Sequence, residues 1–72
     1  MNAMILVFKT TVDSITKIDI VKPHLDRIAA IHQWNFDLWD CDKILRIDGP
    51  AEISSTIINT LNTHGFHCIE LE

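Results

Sequence analysis

The chain has 72 residues, 47% of them apolar, which fits one globular domain over residues 1–72 rather than a disordered segment. Its net charge is −4 with histidine neutral, and its six Lys and Arg residues form no cluster. It therefore lacks the cationic face that nucleic acid or an anionic membrane requires, and neither is expected as a partner.

In chain order, the first element is the run Met4 to Lys9, a continuous apolar stretch that predicts a central strand covered on both faces. Its apolar core, Met4 to Phe8, is too short for a secretory leader, and no run approaches the roughly 20 residues that span a bilayer. A cytoplasmic protein is the expectation. Asp13 then offers an N-cap, and Ile15, Ile18, Val21, Leu25 and Ile28 recur at helical spacing. Pro23 interrupts this pattern and predicts a bent helix or a later start.

Trp34 to Leu38 alternates apolar and polar residues, as a half-buried strand does. A turn over Asp40-Cys41-Asp42-Lys43 returns the chain through Ile44 to Asp48, so these two strands make an antiparallel hairpin. Gly49-Pro50 opens a second helix with Pro50 in its first turn and Ile53, Ile57 and Leu61 as its buried stripe. Gly65 suits a left-handed C-terminal cap, and Phe66 to Leu71 reads as the last strand.

The order is β-α-β-β-α-β. Right-handed crossovers place the first and third strands in the sheet centre and both helices on one face. This predicts an α+β, ferredoxin-like βαββαβ sandwich with two helices on one face of a four-stranded antiparallel sheet, and the other face open.

The element order, the length and the ending Leu61-Asn62-Thr63-His64-Gly65-Phe66 resemble the heavy-metal-associated domain, the family of copper metallochaperones and of metal-pump N-terminal domains. Other ferredoxin-like domains share the order, small-molecule-binding ACT domains among them. The resemblance implies a Cys-x-x-Cys metal motif between the first strand and first helix, where two thiolates hold a soft cation. Here that stretch reads Lys9-Thr10-Thr11-Val12-Asp13-Ser14-Ile15-Thr16, without Cys, Met or His. The metallochaperone-like site is degenerate, and copper carriage through this loop is not expected. No cofactor is expected either.

Elsewhere, the loop before the last strand is expected beside the first strand–helix loop, which brings His64 and His67 toward Asp13 and Thr11. His64, His67 and Asp13 make a candidate set for Zn(II) or Ni(II). His24 and His32 read as solvated surface. Cys41 and Cys68 form no CxxC and are expected as free thiols at opposite sheet edges, where Cys68 could meet only the Cys68 of a second chain. No nucleophile–base order and no glycine-rich phosphate loop is present, so no catalytic residue is assigned.

The open sheet face remains. It is expected to carry Ile44, Arg46 and Trp39, from the first strand Ile5 and Val7 or their alternates, and Cys68 or Ile69 according to the last strand's register. That is more apolar than a solvated face, and an exposed Trp marks contact sites. The expectation is a non-catalytic interaction domain that associates with a protein partner or as a homodimer. The alternative is a metal-binding or metal-trafficking domain using His, Asp or interchain Cys ligands.

Overall fold

The computed structural model describes residues 4–71. Strand β1 spans Met4–Thr10, and burial alternates along it. Leu6, Phe8 and Thr10 are buried, whereas Ile5 and Lys9 are exposed and Val7 is half-buried. The unbroken apolar run had suggested cover on both faces. Among the described residues only one face is covered, because the side chains from the helices join a single cluster with the inward residues of the strands: Val21, Leu25, Ile57 and Leu61 against Leu6, Phe8, Leu45, Ile47 and Cys68. Successive strand side chains point to opposite faces, so the remaining half of β1 is left outside.

Helix α1 spans Ile15–Asp26. Its N-cap is Ser14, not Asp13: the Ser14 hydroxyl accepts the Lys17 N–H at 3.2 Å. Ser14 has the extended backbone that a cap needs, and Asp13, one residue outside, bonds the Lys17 ammonium instead, at 2.7 Å. Val21 and Leu25 are buried and Ile18 packs beside them, but Ile15 in the first turn is 71% exposed. Pro23 sits inside α1 on its exposed side, and the helix continues to Asp26.

Strands β2 (Gln33–Asp37) and β3 (Ile44–Gly49) form the hairpin, joined by residues 38–43. At the end of β3 a side chain on Gly49 would place its Cβ 3.0 Å from Ile53 Cδ1 and 3.1 Å from the Ala30 carbonyl oxygen. Glycine there lets the next helix close onto the loop after α1. Pro50 does not enter that helix directly. It precedes a single 3-10 turn, Ala51–Ile53, and α2 follows over Ser54–Thr63.

The C-terminus of α2 closes in a Schellman arrangement: Phe66 N–H donates to Leu61 O and Gly65 N–H to Asn62 O, both at 3.0 Å. Gly65 supplies the positive φ of 89° that this turn requires. Strand β4 starts at Cys68 rather than Phe66, because Phe66 packs onto the core and His67 bonds to the first loop.

The sheet order is β2-β3-β1-β4, with every neighbouring pair antiparallel. Two helices and this sheet in β-α-β-β-α-β order make an α+β fold of the ferredoxin-like kind. Among the described residues no helix is long and apolar enough to cross a membrane.

Candidate interaction surface

Register decides what the uncovered face presents. Val7 stands opposite Leu71 on β4 and Arg46 on β3; Lys9 stands opposite Ile69 and Ile44; Ile5 stands opposite Asp48. On β2, Gln33, Asn35 and Asp37 face Asp48, Arg46 and Ile44 in the same rows. The face thus divides along its length. Its β1–β4 half carries Ile5, Val7, Ile69 and Leu71 together with Lys9, which stands beside Ile69, with Ile5 58%, Ile69 61% and Leu71 38% exposed. Its β2–β3 half is polar apart from Ile44, and there the Arg46 guanidinium lies 3.8 Å from the Asp37 carboxylate.

The expected contact residues are therefore sorted by the structure. Ile5 and Val7 lie on the open face in adjacent rows, and Arg46 is on it beside Asp37. Ile44 has the parity of that face but is only 5% exposed, so it offers little to a partner. Trp39 is not on the face. The strand ends at Asp37, whose carboxylate accepts the Trp39 N–H at 3.1 Å, and this turn lifts Trp39 into the hairpin loop, 99% exposed. Ile69 joins the face and Cys68 does not. Leu71 was missed in the sequence because the position of a four-residue edge strand is set by pairing, which no local pattern reveals.

Three loops meet at one end of the sheet, where the resemblance would place a metal. The buried Thr10 hydroxyl donates to Lys43 O at 2.8 Å and accepts the Val12 N–H at 3.1 Å. Thr11 N–H donates to His67 O at 3.2 Å, and the Thr11 hydroxyl accepts the His67 N–H at 2.9 Å. The expected neighbourhood of the two loops is present, but His67 enters it through its backbone.

The candidate metal ligands are otherwise dispersed. Asp13 is held by Lys17, whose hydrogen bond, the largest effect, draws the Asp13 carboxyl below its ordinary range. His64 turns away from this end, toward His24 of α1. Cys68 is buried on the covered face, and burial pushes its thiol up to about 12, so it is neither thiolate nor able to reach a second chain's Cys68. Among the described residues, the one group of three or more His, Cys, Asp or Glu with ligand atoms within 4.8 Å of one another is Asp40-Cys41-Asp42. Its geometry has a local origin: the Asp42 N–H donates to Asp40 Oδ1 at 2.8 Å, and Lys9 Nζ lies 3.6 Å from Asp42 Oδ1.

Two groups of contacts escaped the sequence altogether. His24, read as solvated, stacks on His64. Asp26 accepts the Trp34 indole N–H at 2.9 Å and the Lys22 ammonium at 3.2 Å, and these bonds, Trp34's first, hold its carboxyl below the usual range. Lys22 also lies 5.5 Å from the centre of the Trp34 ring. A shallow groove of about 520 Å³ runs past these groups, but they are already bonded to one another. No protein-family model matches the chain, and no curated protein matches it.

Proposed function

We propose that the chain is a non-catalytic interaction domain, akin to a heavy-metal-associated domain without its thiolate site, that associates with a second copy of itself through the open sheet face. The observation that carries this reading is the contiguous apolar patch of Ile5, Val7, Ile69 and Leu71 on an uncovered sheet. The charge pattern favours a like partner. Among the described residues, the charged side chains in the rows of the open face are Lys9, Arg46, Asp37 and Asp48, two cations and two anions, so these rows carry no net charge although the chain as a whole carries −4.

Size sets the strength. A stable interface takes about 800 Å² from each partner, roughly a sixth of the 4675 Å² this chain exposes. Four partly exposed aliphatic side chains supply only part of that, so association is weak and concentration-dependent. Sedimentation analysis of the full chain from micromolar to millimolar concentration tests the reading. The expected result is a rise in average mass that Ile5→Lys or Ile69→Lys suppresses. A chain that stays monomeric throughout, or one whose association ignores both substitutions, overturns it.

A further inference from the structure

His24 lies in the last turn of α1 and His64 caps the C-terminus of α2. Their rings stack with centroids 3.7 Å apart and planes 27° from parallel. His64 Nδ1 is 2.8 Å from the Thr60 carbonyl oxygen, which can only accept, so Nδ1 carries the proton of the neutral ring and Nε2 is the site for a second. The groove at the stack has a volume of about 380 Å³, and Arg27 lines it from α1. From α2 it is lined by Thr56, Asn59, Thr60 and Thr63, all neutral, and the Thr60 and Thr63 hydroxyls donate to the Thr56 and Asn59 carbonyls of their own helix. Among the described residues Arg27 is thus the one other charged group lining it, of the same sign as a protonated imidazole.

A metal ion does not suit this pair. Imidazole lone pairs lie in the ring plane, and two planes 27° apart do not converge on one cation, which Arg27 would in any case repel. A proton suits it. One charged ring against one neutral ring is an acceptable stack. Two imidazolium rings at stacking distance beside a guanidinium repel one another. We propose that the His24–His64 stack is a proton-operated contact between the two helices, closed while at most one ring is charged and opened by the second proton.

The direction of the pH effect follows. Burial of its ring, then His64 and Arg27, hold His24 below the ordinary imidazole value of 6.5. The unfolded chain therefore binds more protons than the folded one in the interval beneath that value. Stability is full above it and falls as pH drops through it toward the lower value of the folded state. What loosens is the seam above Val21, Leu25, Ile57 and Leu61, the core side chains the two helices supply.

The test is an NMR titration of the imidazole ring protons in the full chain from about pH 8 to about pH 4, with the thermal midpoint followed over the same range. Linked two-step curves at both rings are expected, with faster amide exchange at Val21, Leu25, Ile57 and Leu61 after the second step. His64→Phe keeps an aromatic ring for the stack and removes its charge. It should move the His24 titration part of the way back up and shrink the acid loss of the thermal midpoint. Independent single-step curves at the two rings of the native chain overturn the proposal, and this outcome needs no variant to fold. A His24 titration unmoved in a folded His64→Phe chain overturns it as well.

Discussion

The covered and open faces of the sheet are built from one strand. Leu6, Phe8 and Thr10 point into the core at 3%, 0% and 6% exposure, while Ile5, Val7 and Lys9 point the other way from the same backbone. From Ile5 to Phe8 the side chains next to one another in sequence are all apolar, yet they alternate between the open face and the core. The cause is topological. Both crossovers are of the strand–helix–strand kind with a shared hand, so both helices land on one side, and two helices cover only one face. Apolar content along a strand tells how much surface it offers for burial. The hand of its connections tells which half is buried.

The sharpest way to break this comparison is to truncate β1 on each face in turn. Phe8→Ala should cost about 3–5 kcal/mol, because it leaves a cavity in a close-packed core. That is a large share of the roughly 5–15 kcal/mol that holds a small domain together, so extensive unfolding is the expected readout in urea titration. Val7→Ala, one residue away, should cost about 1 kcal/mol or less. Equal losses would mean that the open face is covered in solution.

The two thiols make the same contrast chemically. Burial lifts Cys68 from an ordinary 9.0 to about 12, which lowers its thiolate fraction at neutral pH by about a thousandfold, while Cys41 is exposed in the hairpin loop. A thiol-specific reagent should label Cys41 rapidly and Cys68 only when the chain opens. Labelling of both at one rate would place β4 wrongly. The smallest effect expected is on the stability of the Ile69→Lys chain, which should lie within about 0.5 kcal/mol of the native chain at dilutions where both are monomeric, since the side chain is already 61% exposed.

Much of the architecture was legible because period and punctuation agree. Alternation in β2, the Ile57–Leu61 stripe, Gly65 and the hairpin between two strong strand segments all point to βαββαβ, and the structure has it. The errors lie where neighbours compete for one role. Asp13 and Ser14 both suit an N-cap; Ser14 takes it and Asp13 goes to Lys17. Pro23 predicts a bent helix or a later start; it sits inside α1 on the solvent side, while Val21 and Leu25 anchor the turns around it. Trp39 lies two residues beyond the end of β2, where an Asx turn at Asp37 takes the chain out of the strand.

The candidate surface was half visible. The period of two puts Ile5 and Val7 on one face, but which face that is, like the place of Ile69 and Leu71, depends on strand pairing. The His24–His64 stack could not be read at all, since it depends on how two helices remote in sequence approach each other.

Thr10 has a consequence for anyone rebuilding this end of the molecule. Its hydroxyl fastens the β1–α1 loop to the hairpin, and Thr11 stitches the same loop to the approach of β4. A pair of thiols grafted between residues 11 and 14 would inherit a loop already buttoned down on both sides. Its grip on a soft cation would then depend as much on unfastening two hydroxyl groups as on the sulfur atoms supplied.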